Sequence, residues 1–177
     1  MRNMWRTVAV LSALAVGACG GSEGSQQAGQ ARQSSVPGVE MRWLRGLWAN
    51  DIRTALDTVG LPCKGPVMEN RTNVWTCESR TPLVSYKVRF FGIAPGKIDY
   101  VNAVVTQSGP AKDALPLRVF AALAALRFEG ADQAKARGWM EASIAAGGST
   151  SIGPARYKLS GDANRRVLDV KAAGSEW

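Results

Sequence analysis

The chain carries three cysteines and no histidine, and this combination bounds the chemistry it can host. Histidine is the usual general base for serine and cysteine nucleophiles and a frequent zinc ligand, so its absence removes those sites. Serine–lysine chemistry stays open in principle, but no Ser-x-x-Lys spacing occurs. The acids Asp99, Glu129, Asp132, Glu141, Asp162 and Asp169 are scattered over turns, caps and polar faces, and nothing selects two of them as a catalytic pair. Each reads as a solvated or capping carboxylate. The run Gly147-Gly148-Ser149-Thr150-Ser151-Ile152-Gly153 has the glycines of a phosphate loop. It lacks the lysine and follows a helix instead of opening one, so a turn into a strand is the expectation. No catalytic residue, metal site or cofactor is expected.

The first eighteen residues change the meaning of the first cysteine. A basic start, Met1-Arg2-Asn3-Met4-Trp5-Arg6, precedes a run of about 12 small and apolar residues ending at Ala18, the parts of a secretory signal. A membrane-crossing helix needs about 20 residues, so the run is too short to span a bilayer. Val16-Gly17-Ala18-Cys19 resembles the lipobox of bacterial lipoproteins: an aliphatic residue, two small ones, then cysteine. That resemblance implies diacylglyceryl transfer to the Cys19 thiol, removal of residues 1–18, and acylation of the new amino terminus. Two or more chains are needed for stable anchoring, because each buried methylene contributes only about 0.8 kcal/mol. The alternative is an ordinary signal with an incidental cysteine. Gly20, not Asp, follows the cysteine, which by the same resemblance directs the protein to the outer membrane where there are two membranes.

Export then sets the expectation for Cys63 and Cys77. In an oxidising compartment the default state of such a pair is a disulfide. It would close a loop of about 15 residues between the first helix and the first strand, for about 3 kcal/mol. Free or metal-bound thiols are the alternative. Loss of Arg2 and Arg6 leaves 20 basic against 14 acidic side chains, a net +6. Nucleic acid is not expected as a partner of an exported chain. The charge suits anionic lipid or wall polymers, or simply a solvated surface.

Residues 19–38 contain the lipidated cysteine and a Gly, Ser, Gln and Ala stretch too poor in apolar side chains to fold, hence a tether. One α+β domain is expected over 39–177. It opens with Met41-Arg42-Trp43-Leu44-Arg45-Gly46-Leu47-Trp48, a stretch that either rests in the headgroup layer or lets Trp43, Leu44 and Leu47 cap the core. Asn50 or Asp51 is the expected N-cap of a helix burying Ile52, Ala55, Leu56 and Val59, stopped by Gly60 and Pro62. Strands are expected over 73–79, 83–91 and 98–107, as an antiparallel meander with one solvated, basic face. Two helices follow, the first presenting Leu115, Val119, Ala122, Leu123 and Leu126, the second Ala136, Trp139, Met140 and Ile144. Strands near 151–159 and 166–172 complete the order α-βββ-αα-ββ, an antiparallel sheet with helices on one face.

Gly46-Leu47-Trp48-Ala49-Asn50-Asp51-Ile52 resembles the Gly-Met-Thr-x-x-x-Val helix start of small outer-membrane-assembly lipoproteins of the BamE (SmpA/OmlA) family. The likeness covers the lipobox, the tether, a short capped helix and the meander, about the first half of the mature domain. The sequence departs from that pattern in Gly60-Leu61-Pro62, the cysteine pair and the added helices and strands. The resemblance implies protein binding through a sheet face or loop and transfers no catalytic residue. The expected function is a membrane-anchored, non-catalytic binding or scaffold module of the envelope, with Trp43, Trp48, Lys87 and Arg89 as candidate contacts and an envelope protein as partner. A carrier of lipid or a small acidic ligand is the second expectation, and a hydrolase lacking histidine the third.

Overall fold

The computed structural model describes residues 42–108 and 115–175, leaving aside the side chains of residues 115 and 116. The leader, Cys19 and the tether lie outside the described residues. Three helices and seven strands follow one another as α1 (Ala49–Asp57), β1 (Cys63–Glu69), β2 (Thr72–Arg80), β3 (Val84–Ala94), β4 (Lys97–Gln107), α2 (Leu115–Ala124), α3 (Gln133–Ser143), β5 (Gly148–Ile152), β6 (Ala155–Gly161) and β7 (Arg165–Ala172). The strands form one antiparallel sheet in the order β1-β2-β3-β4-β7-β6-β5. The α+β class and the antiparallel sheet are as expected, but the sheet has seven strands where five were expected.

Both extra strands have a physical reason. β1 has no apolar alternation and is exposed along nearly its whole length, and Gly65-Pro66 interrupts its register with β2 between Lys64 and Val67. Proline cannot donate to a ladder, so it is tolerated on an edge strand, which β1 is. Farther along, the stretch expected as one strand over 151–159 is a hairpin: Gly153-Pro154 turns β5 back onto β6, pairing Ile152 with Ala155. Gly153 has φ +57°, and a Cβ there would stand 2.2 Å from the Gly130 carbonyl oxygen, so only glycine fits.

The alternation of the strands separates two faces. Trp75, Cys77, Tyr86, Val88, Phe90, Val101, Ala103, Val105, Leu168 and Val170 point inward and share one core with Ile52 and Leu56 of α1, Val119, Phe120 and Leu123 of α2, and Ala136 and Met140 of α3. Trp75 and Phe90, directly opposite in β2 and β3, stack at 5.2 Å between ring centroids. Leu44 and Leu47 are fully buried in this core, as the core-capping alternative required. α1 starts earlier than expected: Trp48 occupies the N-cap, and Asp51 sits in the first turn, its carboxylate accepting the Trp48 N–H at 2.9 Å. Asp132 caps α3, accepting from the Lys135 N–H at 3.0 Å.

Cys63 and Cys77 form the expected disulfide, with Cα atoms 3.9 Å apart. It joins opposite positions of β1 and β2, not the first helix to a strand. The short edge strand β1, with little apolar surface of its own, is thereby fastened to the sheet. Among the described residues no helix is long and apolar enough to cross a membrane.

Candidate functional site on the open face of the sheet

Side chains on the other face of the strands run in rows fixed by the register. One row is Thr76, Arg89, Asn102, Asp169 and Lys158; the next is Val67, Val74, Phe91, Tyr100, Lys171 and Arg156; a third includes Glu78, Lys87 and Val104. Val74 and Val167 are buried on this face but stand outside the core shared with the helices.

The centre of the face is a polar knot. Asp169 in β7 is only 9% exposed, and its Oδ1 accepts from the Tyr100 hydroxyl at 2.5 Å and from the Asn102 side-chain amide at 2.7 Å, both from β4. Charge-assisted bonds of this kind compensate a carboxylate for the water it has lost. Burial first, and then the Asp169 carboxylate, push the Tyr100 hydroxyl well above the ordinary tyrosine pKa, so it stays a donor over the physiological range.

Beside the knot, aromatic rings and cations alternate. Phe91 and Tyr100 stack at 5.3 Å between centroids, the Arg89 guanidinium lies 5.0 Å from the Phe91 centroid, and the Lys171 ammonium lies 4.9 Å from that of Tyr100. A cation against a ring face is attracted by the ring quadrupole and is held in place without full burial. Arg89 also forms a 2.6 Å ion pair with Glu69 at the end of β1.

Next to these rings, toward the β1–β2 turn, a cleft of about 360 Å³ opens, lined by Glu69, Phe91, Asp99, Tyr100, Lys171 and Ser175 among others. Two buried polar atoms on its wall, Asp99 Oδ1 and Ser175 Oγ, make no hydrogen bond. Burial raises the Asp99 carboxyl pKa against the opposing pull of backbone N–H groups and Lys171. The cleft therefore offers a ligand an acceptor, a hydroxyl and a cation. No group of three or more Cys, Asp or Glu side chains gathers as metal ligands among the described residues.

The candidate contacts named from sequence fall into two places. Lys87 and Arg89 lie on the open face; Lys87 pairs with Glu78 and Val104 and is exposed. Trp43 and Trp48 lie at the turn between β3 and β4. Trp43 is half-buried with the Lys97 ammonium 5.2 Å from its ring, and Trp48 is 58% exposed with its ring over Gly96. Seven residues of extended strand, roughly 23 Å at about 3.3 Å each, separate Lys87 from that turn.

Asp169, expected from sequence to be a solvated or capping carboxylate, is instead buried at the centre of this face, and its partners Tyr100 and Asn102 were not singled out. The available signal was Asp169 itself, an acid inside the run Val167-Leu168-Asp169-Val170, where a carboxylate needs partners. Its partners are 67 and 69 residues away, so local pattern could not supply them. Compared with known protein families, curated proteins and solved structures, the chain matches none of them.

Proposed function

We propose that this protein is a lipoprotein held to the cell envelope through Cys19, and that its folded domain is a non-catalytic module that binds another envelope protein. The open face carries this reading: a broad, half-buried sheet surface with a prearranged polar centre and a border of fixed cations, the rank-and-file geometry of a contact surface. Ordered side chains lose little entropy on binding, which favours association. The resemblance to small outer-membrane-assembly lipoproteins points the same way, toward recognition by a sheet face or loop.

The anchor reading rests on the Val16-Gly17-Ala18-Cys19 motif and places the domain on the periplasmic face of the outer membrane where two membranes exist. A second reading, a carrier of a small ligand, draws support from the cleft beside Tyr100. An acidic ligand fits that cleft less well, because Glu69 and Asp99 oppose the single ammonium of Lys171. Between helices and sheet, Phe90, Phe120, Leu123 and Met140 are fully buried, which argues against a lipid site there.

The deciding experiment is cross-linking and affinity recovery from solubilised native envelope, comparing wild type with a Lys87→Glu/Arg89→Glu double variant. One reproducible protein that is recovered with wild type and lost with the variant is the expected result. Equal recovery by both, or no reproducible protein, would reject the open face as a contact surface.

A further inference from the structure

The antiparallel register gathers one set of turns at a single end of the sheet. β1 runs into the Asn70-Arg71 turn, β3 into Pro95-Gly96, and β5 into Gly153-Pro154, while β7 ends there at Ala172. Residues 44–49 also lie at this end. Leu44 N–H donates to the Ile98 carbonyl at 2.8 Å, Ala49 N–H to Pro95 at 2.7 Å, and Glu129 N–H to Arg45 at 2.8 Å.

This end concentrates the exposed apolar side chains. Of six large exposed hydrophobic residues among those described, four are here: Trp48 at 58%, Val67 at 61%, Met68 at 66% and Ile93 at 63%. Strand tips are usually polar, and clustered apolar side chains at a polar rim mark a contact surface. The rim is cationic: Arg42, Arg45, Arg71 and Lys97 are exposed around it. Of the acids nearby, Asp51 is engaged in capping α1, Glu69 is paired with Arg89, and Asp99 is half-buried in the cleft with Lys171, which leaves Glu129.

One position adds an independent sign. Asn70 and Arg71 both have positive φ, +47° and +67°, the geometry of a two-residue hairpin turn whose second place favours glycine. An arginine held in a conformation that costs it energy keeps a cation at the tip of the turn.

We infer that this end of the sheet docks on an anionic bilayer surface, with Trp48, Met68, Val67 and Ile93 entering the headgroup layer and Arg42, Arg45, Arg71 and Lys97 meeting lipid phosphates. Tryptophan at the interface flanked by arginine and lysine is the composition that lipid headgroups retain. Each such cation near an anionic leaflet strengthens binding by about fivefold, an effect that salt screens. The inference rests on the lipoprotein reading for its orientation. Apart from Val67 at its edge, the open face remains available to a protein partner while the turns face the lipid.

The test uses the processed, full-length protein reconstituted in vesicles of phosphatidylcholine alone or mixed with phosphatidylglycerol, each containing lipid brominated along the acyl chain. Flotation and mass spectrometry read the anchor; quenching of tryptophan fluorescence reads the docking. Quenching is expected with phosphatidylglycerol, reduced by salt, reduced in Trp48→Phe, and lost in Met68→Ser/Ile93→Ser, which keeps every tryptophan and alters only exposed positions. Protein that floats but is not quenched overturns the docking and leaves the anchor standing. Equal quenching in both lipids overturns the anionic preference. If Cys19 carries no acyl chain, the anchor reading fails, and docking then stands only if the protein still floats with phosphatidylglycerol vesicles. Loss of a cross-linked protein in Met68→Ser/Ile93→Ser, without quenching in wild type, would assign this end to a protein partner instead.

Discussion

Tyr100 and Asp169 meet across the β4–β7 pair, hydroxyl to carboxylate at 2.5 Å, on a sheet face that the helical layer does not share. The bond holds a carboxylate that has lost nearly all contact with water, and it lets an open surface keep a fixed shape. Tyr100→Phe removes one of the two donors to Oδ1 and leaves Asn102 alone. A buried acceptor deprived of a charge-assisted partner costs about 1–3 kcal/mol. Urea denaturation of Tyr100→Phe is therefore expected to show a lower midpoint with an unchanged slope. An unchanged midpoint would mean that water replaces the hydroxyl without loss.

The same tyrosine, with Tyr157, predicts how the fold responds to alkali. Burial raises the Tyr157 pKa to about 12, with a contribution from Asp132, and Tyr100 is raised as well by burial and Asp169. Unfolded tyrosine ionises near 10. A raised folded pKa means that the stability it represents is fully present below pH 10 and is lost as pH rises toward the folded values. Stability is expected to fall steadily above about pH 10, with tyrosinate absorbance appearing late and together with unfolding. Ionisation of Tyr100 and Tyr157 near pH 10 in the folded protein would contradict the burial argument.

The Cys63–Cys77 bridge is expected to matter beyond its immediate surroundings, because β1 has almost no buried side chain to hold it. Constraining a loop of about 15 residues in the unfolded chain is worth about 3 kcal/mol. Cys63→Ser/Cys77→Ser should lose about that much stability, and hydrogen exchange should quicken first in β1. Uniform quickening over the whole sheet, with β1 no different, would show that the strand is held by its ladder alone.

What could be read from sequence follows the length over which each signal acts. Strands β3 and β4 announce themselves because Val84, Tyr86, Val88 and Phe90, and then Val101, Ala103 and Val105, alternate toward one covered face. Strand β1 does not, because an exposed edge strand has no buried face to impose alternation and Pro66 argues against it. The β5–β6 hairpin was hidden because Gly148-Ser149-Thr150-Ser151-Ile152 is small and polar enough to read as a turn leading into a strand, although Gly153-Pro154 is itself a turn signal. The N-cap was expected at Asn50 or Asp51, whereas Trp48 holds it and Asp51 sits in the first turn, a displacement of two or three residues along the helix. The polar knot was illegible for a different reason: strand order β4-β7 brings residues nearly 70 apart into register, and periodicity carries no information about which strand lies beside which.

Asp99→Asn probes the cleft. The raised Asp99 pKa means that the fold disfavours its charged form, so above the ordinary carboxylate range this residue detracts from stability. A neutral amide removes that effect. The variant is expected to be more stable than wild type near neutral pH, with the advantage shrinking as pH falls through the carboxyl range and wild-type Asp99 becomes neutral too. A residue that lowers stability where it lines a cleft is the trade a binding site makes. Lower stability of Asp99→Asn at neutral pH would instead mark Asp99 as a structural anion balanced by Lys171.

Arg71→Gly separates folding from surface contact at one position. Glycine accepts φ +67° at no steric cost, whereas arginine there is displaced from its preferred conformations, so the substitution relieves strain of about 1 kcal/mol. Greater freedom of glycine in the unfolded chain offsets part of that gain, leaving an expected increase of a few tenths to about 1 kcal/mol in denaturant unfolding. If the turn end meets anionic lipid, the same variant should bind phosphatidylglycerol vesicles about fivefold more weakly, since one cation has left the surface. Higher stability with weaker vesicle binding is the paired outcome that both arguments require. Higher stability with unchanged binding would confine Arg71 to the turn and remove it from the lipid contact. Lower stability would show that the arginine side chain contributes more by packing than its backbone loses in strain.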